Sequence, residues 1–76
     1  MILEEGRIIT LKKKDYIIVH IVEYNGSKYM YLISDFKPLE NIIVEVQSIE
    51  NKLVLVEVSN EDTLVEVLKL ISKDED

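Results

Sequence analysis

The fold is decided by residues 16–34, which read YIIVHIVEYNGSKYMYLIS. Asn25-Gly26 at the centre is a strong hairpin signal, because both central positions of a type I′ turn need φ above zero. A two-residue loop at this point places Glu23 opposite Lys28 and joins two long strands. The stretch therefore predicts an antiparallel hairpin.

Side chains alternate between the two faces of a strand, so this register assigns every residue of the hairpin to a face. One face is purely aliphatic: Ile17, Val19, Ile21, Met30 and Leu32. The other carries Tyr16, Ile18, His20, Val22, Tyr24, Tyr29, Tyr31 and Ile33, with all four tyrosines and the only histidine of the chain. Large rings with polar ends suit a contact surface. We predict an interaction face, here called the tyrosine face, made of Tyr16, His20, Tyr24, Tyr29 and Tyr31.

A different loop at the same place would change this assignment. A three-residue loop, Tyr24-Asn25-Gly26, with a bulge at Gly26 reverses the alternation. Tyr29 and Tyr31 would then join the aliphatic face. The two-residue loop is favoured because it pairs Glu23 with Lys28.

The rest of the chain supplies three more strands and one helix. Strands are predicted at residues 7–11, 16–24, 28–34, 42–47 and 53–58, with turns at 12–15 and 49–52. A loop is predicted at 35–41, since Pro38 cannot donate to a strand ladder. Ser59 or Asn60 can cap a helix over 60–72, with Glu61 and Asp62 in its first turn. Its apolar stripe is Leu64, Val67, Leu68 and Ile71, widened by Val65 and Leu70.

These elements predict a single α+β domain. It is a curved five-stranded antiparallel β-meander, able to approach a barrel, with one C-terminal α-helix. Its parts are an N-terminal segment (1–6), the meander (7–58), the helix (60–72) and an acidic tail (73–76). One helix covers one face of the sheet, so the other must be covered by sheet curling or by a partner, or stay half exposed.

Charge is unevenly distributed along the chain, whose net charge is −6. Residues 1–39 carry six basic and five acidic residues, whereas residues 40–76 carry three basic and ten acidic residues. This excess opposes direct binding to nucleic acid and anionic membranes and favours a basic partner. The predicted acidic surface is Glu45, Glu57, Glu61, Asp62 and Glu66. Glu45 and Glu57 are expected to meet on one sheet face.

The sequence predicts no enzyme. It has one histidine and no cysteine, and it contains no HExxH, GxGxxG or GxxxxGK[ST] motif. We therefore predict no catalytic residues, no metal site and no cofactor. No signal-peptide core or long apolar run is present, so we expect a cytoplasmic protein that does not span a membrane.

From residue 15 to about residue 71 the chain resembles a family of small acidic domains of low-GC Gram-positive bacteria. The resemblance is carried by EYNGSKYMYL (23–32), the linker PLE (38–40), the strand VEV (44–46) and the acidic capped helix. It implies the architecture described above. The family has no established activity and no functional residues to transfer. The richness in isoleucine, lysine, asparagine and tyrosine also suggests an AT-rich bacterial or phage genome.

Three functional hypotheses follow. The first is a non-enzymatic protein-interaction module that uses the tyrosine face, first of all to self-associate. The second is an acidic inhibitor from a phage or mobile element, which blocks a basic nucleic-acid-binding protein through the acidic surface. The third is a protein that sequesters a nucleotide or small ligand, with bases stacked on the tyrosines and phosphates on Lys12, Lys13, Lys14 or Lys28. Against all three stands a purely structural role for the rings as part of the core.

Overall fold

The computed structural model of the protein describes residues 3–34 and 39–74. Each strand lies antiparallel to its chain neighbour, which gives the sheet order β1-β2-β3-β4-β5. The sheet is curled into a half-barrel, and one helix follows it. The predicted α+β fold is therefore confirmed. The elements are β1 (Ile8–Leu11), β2 (Lys14–Tyr24), β3 (Ser27–Ser34), β4 (Asn41–Ile49), β5 (Lys52–Glu57) and α1 (Glu61–Asp74).

Three parts of the sequence prediction lie outside the described residues. They are residues 1–2 of the N-terminal segment, most of the loop predicted at 35–41, including Pro38, and the last two residues of the predicted acidic tail. The helix itself runs two residues beyond its predicted end and includes Lys73 and Asp74.

Three of the strand connections are two-residue turns with positive φ at both positions. They are Lys12-Lys13 (52° and 67°), Asn25-Gly26 (52° and 79°) and Glu50-Asn51 (51° and 65°). Turns of this kind match the twist of the strands that they join. Only Asn25-Gly26 has the residue types typical of such a turn, so the other two depend on the pairing of their strands.

The register of the central hairpin is the predicted one. Glu23 pairs with Lys28 and Val22 pairs with Tyr29 across the Asn25-Gly26 loop. The alternative three-residue loop is therefore wrong.

A β-bulge interrupts β2 further from the turn. Ile18 pairs with Leu32 and His20 pairs with Tyr31, which leaves Val19 out of the pairing. An extra residue in one strand reverses the alternation of side chains beyond it. Even-numbered residues before Val19, such as Ile18, therefore lie on one face of the sheet, and even-numbered residues after it, such as Val22, lie on the other.

The bulge moves Tyr16 and Ile18 to the face that was predicted to be purely aliphatic. The prediction of one face with all four tyrosines is therefore wrong. The observed cluster, here called the inner face, consists of Ile9, Tyr16, Ile18, Met30, Leu32 and Val44, with Ile21 and Leu55 among the residues packed against it. Four of its members are 0% exposed although no helix covers them, because the sheet curls around them.

The opposite face, here called the helix face, is covered by α1. Val67 and Ile71 of the helix pack on Val22, Tyr29 and Ile43 of the sheet. Leu64 and Leu70 pack beside them, whereas Leu68, a member of the predicted apolar stripe, is 45% exposed at its edge.

The helix begins after Asn60, whose side-chain Oδ1 accepts a hydrogen bond of 3.0 Å from the backbone N–H of Thr63. This bond satisfies one of the free donors of the first turn. Of the two predicted capping residues, Asn60 is the one that forms the cap.

Candidate interaction surface

The structure separates the five residues of the predicted tyrosine face. Tyr16 is 5% exposed on the inner face, and Tyr29 is 8% exposed beneath α1. His20, Tyr24 and Tyr31 are half-buried. Tyr24, Tyr29 and Tyr31 remain together on the helix face, and the Tyr24 and Tyr29 rings form a tilted pair with centroids 6.4 Å apart. Most of the ring surface thus belongs to the packing of the protein.

Glu45 is the centre of a polar network beside these rings. Its Oε1 accepts a hydrogen bond of 2.8 Å from Gln47 Nε2, and its Oε2 accepts one of 3.3 Å from the Tyr29 hydroxyl. Hydrogen bonds from Gln47 and Ser27, with a smaller contribution from Tyr29, lower the pKa of Glu45. Glu45 is therefore a satisfied carboxylate that links β3 to β4, and it is a poor candidate for a catalytic base.

The same network changes the acidity of Tyr29. Burial beneath α1 is the main reason that the pKa of the Tyr29 hydroxyl is raised, and the charge of Glu45 adds to it. The hydroxyl thus stays protonated and donates its hydrogen to Glu45.

The five predicted acidic residues do not form one surface. Glu45 pairs with Val56 and Glu57 pairs with Val44, so the two carboxylates lie on opposite faces of the sheet. The expectation that they meet on one face is wrong. Glu66 is half-buried and its Oε1 lies 3.5 Å from Lys69 Nζ. Glu57, Glu61 and Asp62 are exposed where β5 passes into α1.

An open cleft of about 290 Å³ lies between α1 and the sheet. We call it the α1 cleft. Tyr31, Asn41, Ile43, Val58, Leu64 and Leu68 line it, together with Glu57. The Tyr31 hydroxyl accepts a hydrogen bond of 3.0 Å from Asn41 Nδ2, which fixes the ring at the cleft wall.

A second, smaller cleft of about 200 Å³ adjoins the first, because Glu57 and Val58 line both. Glu45, Val56 and Thr63 also line it.

Sequence reasoning found Tyr31 and the acidic residues but missed Asn41 and the exposure of Leu68. Both depend on the direction in which α1 crosses the sheet.

The described residues offer little for catalysis or metal binding. Within residues 3–34 and 39–74, no three His, Cys, Asp or Glu residues are grouped so as to hold a metal ion. His20 Nδ1 lies 4.0 Å from Glu5 Oε2, and the same oxygen accepts a hydrogen bond of 3.0 Å from the Ile21 N–H. Glu5 thus ties the N-terminal segment to β2 next to the bulge.

No helix in the described part of the chain is long and apolar enough to cross a membrane.

Comparisons of this chain with protein-family models, with curated proteins and with solved structures give no match. The resemblance to a bacterial family of small acidic domains therefore stays a prediction.

Proposed function

We propose that the protein is a non-enzymatic protein-interaction module that binds a basic segment of another protein at the α1 cleft. The observation that carries this proposal is Leu68. This large apolar side chain of α1 is 45% exposed at the side of a mostly apolar cleft.

The cleft walls favour a contact with apolar side chains. Ile43, Val58 and Leu64 provide its apolar lining, and Tyr31 provides a ring with a polar end. Each apolar side chain that a partner inserts here would release water from both surfaces. The free energy of binding would come mainly from this burial.

The surrounding charges determine the kind of partner. Glu61 and Asp62 are exposed in the first turn of α1, the helix that contributes Leu64 and Leu68 to the cleft wall. Glu57 also lines the cleft, but its side chain lies on the inner side of the sheet, so its carboxylate is left out of this argument. Acidic residues around an apolar contact attract lysine and arginine and repel an acidic partner. The hypothesis of an acidic phage or mobile-element inhibitor is a special case, in which the basic segment belongs to a nucleic-acid-binding protein.

The tyrosine face contributes less to this proposal than its sequence suggests. Tyr31 lines the cleft, but Tyr16 and Tyr29 are almost fully buried. Self-association or base stacking through the whole tyrosine face would require both α1 to move away from Tyr29 and the sheet to uncurl around Tyr16. A cytoplasmic location remains part of the proposal, because the cytoplasm would supply the basic partner.

The proposal is tested by capture of partners from cell extract by the wild type, Leu68→Ser and Val65→Ser, with quantitative mass spectrometry. Val65 is the matched control, because it is also an exposed apolar residue of α1 but does not line the cleft. We expect a basic protein that binds the wild type and Val65→Ser, binds Leu68→Ser at least about tenfold more weakly, and is released by salt.

The captured protein would then be titrated into labelled protein and followed by amide chemical shifts. Shifts at Tyr31, Asn41 and Leu68 would support the α1 cleft as the binding site. Equal binding to both variants, or binding that does not respond to salt, would contradict the proposal.

A further inference from the structure

β5 is an edge of the sheet, and within the described residues it pairs only with β4. The backbone N–H of Val58 donates a hydrogen bond of 2.9 Å to the Ile43 carbonyl, in the same register as the β4–β5 pairing. This bond shows which residues of β5 form their backbone hydrogen bonds with β4. Backbone groups alternate in direction along an antiparallel strand. Lys52, Val54 and Val56 therefore direct their N–H and C=O groups towards β4, and Leu53, Leu55 and Glu57 direct theirs away from the sheet.

The side chains of this edge are apolar and accessible on both faces. Leu53 is 43% exposed, and Val54 and Val56 are 37% and 40% exposed. Natural edge strands are commonly protected against pairing by charges, proline, bulges or short length. In β5 the charges of Lys52 and Glu57 lie only at the ends, and the four residues between them are all apolar.

The opposite edge of the sheet shows the usual protection. β1 has only four residues, and Arg7, Lys12 and Lys13 stand at its ends. Pairing by a second chain is therefore discouraged at β1 but left open at β5.

We propose that β5 pairs antiparallel with β5 of a second copy of this chain, about a two-fold axis perpendicular to the sheet. Such an axis keeps each face of the sheet continuous across the two chains. In the register centred on Leu55, this residue meets Leu55 of the second copy, and Val54 meets Val56 of the second copy. Every outward N–H and C=O group of Leu53, Leu55 and Glu57 then has a partner.

A second copy fits this edge because the three central pairs of this register are apolar on both sides, and Glu57 opposes Leu53 only at the two ends of the paired segment. The two exposed valines lie on the same face and cover each other across the axis. The pairing is opposed by the like charge of the chains, −6 each. A six-residue edge buries little area, so we expect a Kd of roughly micromolar to millimolar. Salt tightens this association by screening the repulsion, whereas salt weakens binding of a basic partner at the α1 cleft.

The first test needs no variant. Sedimentation equilibrium of the full chain, from about 1 μM to about 1 mM, should show a monomer–dimer equilibrium. Hydrogen exchange followed by NMR over the same range should show slower exchange of the Leu53, Leu55 and Glu57 amides as the concentration rises. A monomer at all concentrations and salt levels would overturn the proposal, as would a dimer in which these amides are unaffected.

The second test checks the proposed register by introducing opposite charges at two residues that face each other across the axis. Val54→Lys and Val56→Glu should each weaken the homodimer at least about tenfold, since each places a charge against an apolar residue. An equal mixture of the two variants should associate more tightly than either alone, because the introduced lysine of one chain faces the introduced glutamate of the other. Val65→Lys, the same kind of change on α1, should leave the dimer intact.

Two further outcomes would contradict the proposed register. One is unchanged dimerisation of Val54→Lys, and the other is a mixture no tighter than its components. Thermal unfolding of each variant separates loss of pairing from loss of folding, and a variant that does not fold is replaced by Val54→Thr with Val56→Thr. Leu68→Ser should leave the dimer unchanged, so this proposal and the proposed cleft can fail independently.

Discussion

The inner face and the helix face belong to the same sheet but are closed in different ways. The inner face is covered mainly by the curvature of the strands, with Leu3 of the N-terminal segment packed against it, and Ile18, Met30, Leu32 and Val44 are fully buried there. The helix face is covered by a separate element, which buries Val22, Tyr29 and Ile43 but leaves an open cleft at its side. We expect the inner face to contribute more to the free energy of unfolding, because four of its side chains are 0% exposed, whereas the helix face provides the more accessible surface.

The bulge at Val19 is the feature that creates this difference. Without it, Tyr16 would lie under or beside α1, and the inner face would lose its aromatic ring. With it, Tyr16 and Ile18 complete the inner core, while Val22 remains available to receive the helix.

Deletion of Val19 should disturb the packing of the two faces more than any of the substitutions described below. Without the extra residue, one half of β2 must turn its side chains to the wrong face, so either Tyr16 and Ile18 or Val22 lose their burial. We expect loss of cooperative thermal unfolding, measured by circular dichroism. Val19→Ala keeps the bulge and should remain cooperative. A deletion variant that unfolds cooperatively near the wild-type temperature would contradict the role given to the bulge.

Truncation of one buried isoleucine on each face should show which face contributes more to the free energy of unfolding. Ile18→Ala on the inner face and Ile71→Ala on α1 should each lower the free energy of unfolding by about 2–5 kcal/mol, measured in urea. The larger loss is expected for Ile18, because the surrounding strands cannot close its cavity, whereas α1 can shift towards the sheet. Ile49→Ala, at an exposed site, should change stability by less than about 0.5 kcal/mol. Equal costs at Ile18 and Ile71 would argue against self-closure of the inner face.

The helix cap should affect the helix face alone. Asn60→Ala removes the acceptor for the Thr63 N–H and should cost about 1 kcal/mol in the free energy of unfolding. Amide exchange should accelerate in α1 more than in the strands of the inner face. Ser59→Ala is the control and should be close to neutral. A larger effect of the Ser59 change would mean that the cap is assigned to the wrong residue.

The network around Glu45 should give a smaller, pH-dependent effect. Because the pKa of Glu45 is lowered in the folded protein, the unfolded chain binds this proton more readily. The contribution of Glu45 is present above the ordinary glutamate pKa and is lost as the pH falls through its lowered folded value. Gln47→Ala removes the main cause of the shift and should flatten this acid dependence in urea titrations. The same acid dependence in wild type and variant would contradict the network.

Tyr29 should make the stability depend on pH in the alkaline range, as Glu45 does in the acidic range. Its raised pKa means that the folded state resists loss of the hydroxyl proton, so stability should fall as the pH rises above the ordinary tyrosine range. Tyr29→Phe should lose this alkaline dependence, whereas Tyr24→Phe serves as the control.

The order of elements could be predicted from the sequence because turn chemistry and periodicity are local properties. Asn25-Gly26 fixed the expectation for the central hairpin, and the change of period after residue 58 located the helix. The bulge could not be predicted, because β2 is apolar on both sides of Val19 and either parity buries apolar side chains. This one residue made the predicted tyrosine face wrong.

The candidate surface was less predictable than the fold. The exposure of Leu68 depends on where α1 crosses the sheet, and the separation of Glu45 from Glu57 depends on a single step in the β4–β5 register. Helical spacing alone places Leu68 beside Leu64 and Ile71 and does not distinguish the buried edge of the stripe from the open one.

The position of α1 after all five strands has a consequence for synthesis on the ribosome. The chain emerges from its N-terminal end at about 5–20 residues per second, and each hairpin can pair with the segment made just before it. Tyr24, Tyr29 and Ile43 nevertheless stay uncovered until the helix leaves the exit tunnel. The nascent protein therefore passes through a stage in which its most aromatic surface is open to chaperones and to neighbouring chains.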